Sequence, residues 1–219
     1  MLRLVVFIFL VGALIVGCPC AEAMTPAHDQ TQVKRWQSAS IPQHKRHAVA
    51  VVAKRILDNR QRYEAVSRRT GVPWFTLAGL HNMEASGSFA KHLHEGSPLS
   101  SRTRWVPKGR PKTGSPPFTW EYSAEDAMNY DRMSAKNWSR LGPALSACEG
   151  YNGWGFAKYH PTVASAYLWS GMTGKYGVGK PGKYISDGRW SSTAISAQIG
   201  IAAVWKQLEE WGAVKIPPP

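Results

Sequence analysis

One carboxylate in this chain is set apart from the other acids by its surroundings. Glu84 follows Trp74-Phe75-Thr76-Leu77-Ala78-Gly79-Leu80-His81-Asn82-Met83, an apolar stretch with helical spacing. After it come Ala85-Ser86-Gly87-Ser88-Phe89 and a long basic loop. A carboxyl among apolar neighbours has a raised pKa, so it keeps its proton near neutrality and can give it to a leaving oxygen. Proton donation of that kind cleaves glycosidic bonds. A single glutamate also ends many helices as a plain solvated residue, and the helix alone does not separate the two readings.

Glycan cleavage also needs flat rings that hold the sugars and polar groups that orient them. Tyr151, Trp154, Tyr167 and Trp169 are candidates for the rings, since aromatic faces stack on the apolar faces of sugars. The chain has 10 Trp, and about half of them are expected in the core. Asn152 could hydrogen-bond a sugar hydroxyl or amide, although Asn152-Gly153 is also a turn signal. His81 and His94 are placed on the same cleft as hydrogen-bonding imidazoles. Glu95, Glu121 and Glu149 are the candidates for a second carboxylate, whose distance from the first would set inversion or retention.

A metal site is the chief rival constellation. His81 and Glu84 sit three apart on one helical face, and His92-Leu93-His94 follows, so imidazoles and a carboxylate could hold zinc with an open position for water. The spacing lacks the paired helical histidines of the zinc-peptidase signature. Imidazoles in a glycan cleft hydrogen-bond without any metal. The expectation is therefore no metal and no cofactor. Ser86 and Ser88 lack the Gly-x-Ser-x-Gly elbow of a nucleophilic serine. Cys148 is read as a small buried core residue.

The elements that must position these residues can be read from periodicity and from Gly and Pro. Ala48, Val51, Val52, Ile56 and Leu57 recur near helical spacing from Arg46 onwards. Gly71 stops a helix over the Tyr63 region, and Pro73 suits the first turn of the helix that carries Glu84. Residues 87–121 are rich in Gly and Pro, which excludes continuous helix. Short extended pieces are expected there, around Thr103–Val106 and Phe118–Trp120. Arg102, Arg104, Lys108, Arg110 and Lys112 make this loop a candidate flap for an anionic or sugar polymer. Helix is expected again from Ser123, with a Ser-x-x-Asp cap. Two more helices are expected, from about Ser134 to Cys148 with a bend at Gly142-Pro143, and from about Thr193 to Trp211. Residues 24–44 are polar and read as a flexible arm, 45–213 as a single domain, and 214–219 as a proline tail.

The first residues point to export. Met1-Leu2-Arg3, the apolar run Leu4 to Gly17 and Ala21-Glu22-Ala23 have the order of a secretory signal peptide over residues 1–23. Ile15-Val16-Gly17-Cys18 also has the form of a bacterial lipobox, which would leave a lipidated Cys18 as the anchor. The expected location is the periplasm or the extracellular space. About 195 residues remain, one ordinary domain, and with the cysteines so few its stability must come from a packed core. The net charge of +13 draws the chain to polyanions. For an exported protein those are cell-wall and membrane-surface polymers. Nucleic acid is not expected, because no binding motif for it is present. A monomer is expected.

The order of several motifs is similar to that of a known family. Tyr63-Glu64-Ala65-Val66-Ser67-Arg68-Arg69-Thr70-Gly71-Val72-Pro73, with the helix to Glu84, resembles the segment around the catalytic glutamate of the lysozyme-like superfamily. Gly150-Tyr151-Asn152-Gly153-Trp154-Gly155 resembles the Tyr-Asn turn that faces that glutamate in lytic transglycosylases. His92-Leu93-His94-Glu95-Gly96-Ser97-Pro98-Leu99, Val106-Pro107-Lys108-Gly109-Arg110-Pro111-Lys112-Thr113-Gly114, Pro116-Pro117-Phe118-Thr119-Trp120 and Tyr167-Leu168-Trp169-Ser170 are similar to a group of phage endolysins and bacterial lysozyme-like proteins. The resemblance runs from about Tyr63 to Asp187.

The resemblance implies a mainly α, lysozyme-like α+β fold in which a helical lobe and a small loop or hairpin lobe flank a glycan cleft. It implies cleavage of the bond between N-acetylmuramic acid and N-acetylglucosamine in peptidoglycan. Glu84 would be the general acid, with Tyr151 and Asn152 opposite. Transglycosylases commonly have Glu-Ser at the catalytic position and this chain has Ala85, so hydrolysis and transglycosylation both stay open. A non-catalytic wall-binding protein on the same fold and a zinc amidase or peptidase using His81, His92 and His94 are the alternatives.

Overall fold

The structure is a computed structural model that describes residues 25–186 and 188–219. The signal peptide and the lipobox lie outside the described residues. Among the described residues the chain is mainly helical, with one two-stranded sheet. The elements run α1 (Pro26–Ser38), α2 (Gln43–Asp58), α3 (Arg60–Thr70), α4 (Trp74–Ala85), α5 (Trp120–Tyr130), a 3-10 turn (Met133–Ala135), α6 (Leu141–Tyr151), α7 (Gly155–Tyr159), α8 (Ala166–Trp169), β1 (Lys183–Ser186), β2 (Arg189–Ser191) and α9 (Ile201–Glu210). None of the described helices is long and apolar enough to cross a membrane.

Helix α4 forms the centre. Every residue from Phe75 to Met83 is buried, the pattern of a helix enclosed on all sides. It packs against α2, α3 and α9. Gly79 allows α9 to come close, since a Cβ there would stand 3.0 Å from Ile201. Trp205 of α9 packs edge-on to Phe75, with ring centres 5.1 Å apart. α3 ends at Gly71 in the left-handed conformation, and Gly71 N donates to Ser67 O at 2.8 Å. Pro73 then leads into α4, as the spacing predicts.

The segment read as a flexible arm is helix α1, docked on α6. Thr25 caps it, Pro26 occupies its first turn, and Asp29 complements the helix dipole. Its buried face is largely polar: Gln32, Arg35 and Trp36. Arg35 donates to Tyr176 O (2.9 Å) and Pro161 O (3.3 Å). Gln32 bonds Glu149 and accepts from Trp169 Nε1 at 3.1 Å. A helix that docks through amide and guanidinium groups has no apolar periodicity, which is why composition alone made it look like linker.

Three helix boundaries also differ from expectation. α5 starts at Trp120 because Thr119 Oγ1 accepts from Tyr122 N, while Ser123 is buried inside the helix and bonds His92. α6 starts at Leu141, so Gly142 and Pro143 lie in its first turn, where proline is readily accommodated. α9 starts only at Ile201, because Gly200 is pressed against the end of α8, with Gly200 N donating to Ser170 O at 2.9 Å. No strand forms at 103–106 or 118–120. The hairpin is instead β1–β2, with Tyr184 opposite Trp190. The long loop is nevertheless tied down: Thr103 N donates to Arg110 O and Phe118 N to Leu99 O, both at 2.9 Å. The tail also packs, with Ile216 buried and Leu141 N donating to Pro218 O at 2.8 Å.

Docking of α1 is testable through Trp36, which lies 6.5 Å from Trp205 and under Lys206 Nζ. Trp36→Ala is expected to lower the unfolding free energy by about 3–5 kcal/mol in urea denaturation. A loss below about 0.5 kcal/mol would mean an undocked arm.

Candidate active site

Glu84 lies in the last turn of α4, at the edge of the buried core. Ser86 turns the chain in the left-handed region (φ 53), and Gly87 N donates back to His81 O at 3.1 Å. Asn82, two residues before Glu84, donates to Ile199 O at 2.9 Å and accepts from Arg55 at 2.7 Å. Gly96 rests on the Glu84 carbonyl: a Cβ there would stand 2.7 Å from that oxygen, and its φ of +78 also requires glycine. The helix end is thereby held from α2, from the loop before α9 and from the loop after His94.

The carboxyl itself is half-buried and accepts a hydrogen bond from Tyr167 Oη at 2.7 Å. Burial pushes its pKa up from 4.5 to about 8. The Tyr167 hydrogen bond opposes that rise, and the negative charges of Asp131 and Glu95 add to it. Tyr167 and Tyr151 are driven well above the ordinary tyrosine value, by burial first and then by the acids around them, so both hydroxyls remain neutral donors. Tyr151 donates to Leu93 O at 3.2 Å.

A second carboxyl belongs to this group, and it was not among the three expected. Asp131 follows the last turn of α5, and its field reaches both Glu84 and Tyr151. Burial raises its pKa to about 6, Arg110 opposes and Asp126 adds. Behind it Asp126 takes a bidentate hydrogen bond from Arg110 (2.9 and 2.5 Å) and contacts His94 Nε2 at 2.9 Å. No local signal marks Asp131 in the sequence, because its place comes from the packing of α5.

The three expected carboxylates have separate fates. Glu149 is buried against α1, with Gln32 donating to it and His28 Nε2 at 3.1 Å, so it is a structural acid of the α1–α6 interface. Glu121 pairs with Arg62 at 2.5 Å. Glu95 contributes to the field on Glu84, and Ser97 N and Oγ both donate to its Oε1.

Several predicted substrate contacts are core residues. Trp169 is 2% exposed and engaged with Gln32, so it cannot stack on a sugar. His81 is fully buried: its Nε2 donates to Ser88 O (3.1 Å) and its Nδ1 lies 3.0 Å from Tyr63 Oη. Burial drops its pKa to about 4, so the ring is neutral and Tyr63 is the donor to Nδ1. His94 is buried on Asp126. His92 is fixed between Ser123 Oγ and Ser101 O, both at 2.7 Å. The imidazoles of the metal hypothesis are thus each used by the protein. Among the described residues no three or more His, Cys, Asp or Glu are grouped to hold a metal ion. Trp154 packs over Gly150 and edge-on to His28. Asn152 caps α6 next to Tyr151 and is half-exposed. Tyr167 is brought to Glu84 by its hydroxyl, and its ring is buried and does not present a face to a sugar. Cys148 is buried, as read.

No protein-family model, curated protein or solved structure matches the chain. The site combines a carboxyl with a raised pKa, oriented by a neutral tyrosine, and a second carboxyl raised less far.

Two titrations test this geometry. Tyr167→Phe removes the donor that favours the carboxylate, so the Glu84 pKa is expected to rise above about 8, read by carbon NMR of the carboxyl. Folded Glu84 keeps its proton up to about pH 8, whereas the unfolded chain releases it near 4.5. Its contribution to stability is complete below pH 4.5 and is lost as pH rises towards 8, with a slope of at most about 1.4 kcal/mol per pH unit. Glu84→Gln is expected to remove that part of the slope in denaturation at pH 5, 6, 7 and 8.

Proposed function

We propose that this chain is a glycosidase of lysozyme-like type that cleaves the N-acetylmuramic acid to N-acetylglucosamine bond of peptidoglycan, with Glu84 as general acid. The observation that carries this reading is the Glu84 carboxyl at the end of a buried helix, bonded on one oxygen by Tyr167 at 2.7 Å, a setting in which burial raises its pKa. Because Tyr167 donates to Oε1, the acidic proton belongs on Oε2, the oxygen left for the glycosidic oxygen of a bound strand. Proton transfer to that oxygen breaks the C1–O bond and leaves a cationic sugar. Glu84 becomes a carboxylate in the same step, and the Tyr167 hydrogen bond strengthens as that charge forms.

The second half of the reaction needs a base. In hydrolysis, water attacks C1 and gives its proton to a carboxylate. Asp131, ionised above about pH 6, is the base this reading assigns, and its charge also stabilises the cationic sugar. In transglycosylation, the substrate's own hydroxyl attacks and returns its proton to Glu84. Tyr151 and Asn152 are assigned to hold the strand, and the +13 charge favours an anionic wall. The proposed site of action is outside the cytoplasm, as the signal-like residues 1–23 suggest.

Mass spectrometry of fragments released from purified peptidoglycan by the mature protein tests the reaction. Reducing ends mean hydrolysis and 1,6-anhydro ends mean transglycosylation; no release at all overturns the reading. Glu84→Gln is expected to lower the rate about 10²–10⁴-fold with the fold intact. The rate is expected to fall as pH rises through about 8, because only protonated Glu84 acts as the acid. Asp131→Asn is expected to abolish hydrolysis and to spare an anhydro product.

A further inference from the structure

We propose that α7 and the β1–β2 hairpin form an accessory surface that binds an acidic glycan strand beside the Tyr151–Asn152 turn. This rests on the peptidoglycan reading above and adds a second, non-catalytic contact to it.

The hairpin pairs strands of only 4 and 3 residues, too short to be stable alone in water. Aromatic rings hold it. Tyr184 and Trp190 are cross-strand partners with ring centres 5.2 Å apart. Trp190 stacks face to face on His160 at 3.5 Å and 10°, and Phe156 of α7 meets both hairpin rings edge-on. Tyr184 lies against Gly155, where a Cβ would stand 3.1 Å from its ring, and its hydroxyl donates to Gly155 O at 3.4 Å. The hairpin is therefore fastened to the segment that directly follows Tyr151 and Asn152.

This cluster keeps several of its rings at the surface. Only Phe156 is buried; His160, Tyr184 and Trp190 are half-exposed. Tyr159 is 64% exposed, and the proximity of the two phenols pushes the Tyr184 hydroxyl upward after burial does. None of the ring contacts that fasten the hairpin involves Tyr159, whose exposed ring carries Lys158 and is free to meet a ligand with apolar faces. Pyranose rings present such faces. Lys158 Nζ stands 5.4 Å from the Tyr159 ring centre, and Lys183 and Arg189 are on the strands. From Gly155 to Ser191 the sequence has five Lys or Arg and one acid, Asp187. Sugars alone need no cations; a glycan with carboxylates on its stem peptides uses both rings and charges.

The test is sedimentation of the full mature chain with purified peptidoglycan sacculi, in a Glu84→Gln background so that the wall is not consumed. Glu84→Gln is expected to sediment. Adding Tyr159→Ala and Arg189→Gln is expected to weaken binding about tenfold with unchanged thermal unfolding. Equal sedimentation with and without the two changes overturns the accessory surface and leaves the glycosidase reading standing. Displacement by polyglutamate as effective as by soluble acidic glycan fragments also overturns it, since a plain cationic patch then suffices. Failure of Glu84→Gln to sediment, while the native chain still releases fragments, overturns the surface alone. Failure of both overturns the peptidoglycan reading with it.

Discussion

The hydrogen bond from Tyr167 Oη to Glu84 Oε1 joins residues 83 positions apart, and much of the structure is arranged around making it possible. An acid in the last turn of a fully enclosed helix loses most of its hydration. Its charged form is then costly, and the protein keeps the proton on it. That state is reproducible only if the helix end cannot fray. Asn82, Arg55, Gly96 and Gln198 hold the backbone on either side of the carboxyl; Gln198 donates to Met83 O at 3.2 Å.

The tyrosines are fixed by a second polar network that lies away from the site. Glu149 is buried in α6 two residues before Tyr151, and Trp169 is buried in α8 two residues after Tyr167. Gln32 of α1 bonds to both, and His28 lies within 3.1 Å of the same carboxylate. One amide therefore ties together α6 and α8, the two elements that deliver the hydroxyls and that also pack on each other directly. A buried carboxylate with amide and imidazole partners is sensitive to any change in its neighbours. The N-terminal helix thus acts on the site through packing, although it contributes no group to it.

Legibility in the sequence followed the kind of force involved. Apolar enclosure and backbone punctuation were readable: α4, the Gly71 stop, Pro73 and the setting of Glu84 all carry local signals. Polar docking was not readable, because Gln32 and Arg35 look the same in a linker as in an interface. The types Trp and His also say nothing about what covers them. Trp169 and His81 suit sugar contacts by type, yet they are core residues satisfied by Gln32, Tyr63 and Ser88. Tyr167 was found for its ring and is placed for its hydroxyl. Asp131 carries no local pattern at all, since it reaches the site only through the packing of α5 beside α3 and the 3-10 turn.

The two carboxyls gain separate roles from unequal surroundings. Both are raised by burial, but Arg110 stands by Asp131, whereas the charges that bear on Glu84 are acids. Asp131 therefore gives up its proton first, and its charge then makes ionisation of Glu84 harder. Both carboxyls are raised above their ordinary values, Glu84 the further of the two, so Glu84 is the member of the pair that holds a proton longer as pH rises. Burial is the largest cause for both, and among the charges Arg110 lowers Asp131 while Asp126 partly cancels it. Arg110 is held in place by the loop, with Thr103 N donating to Arg110 O at 2.9 Å. The loop thus supplies one inward arginine whose charge bears on Asp131 and not on Glu84, and so adds to the difference that burial makes between the two carboxyls.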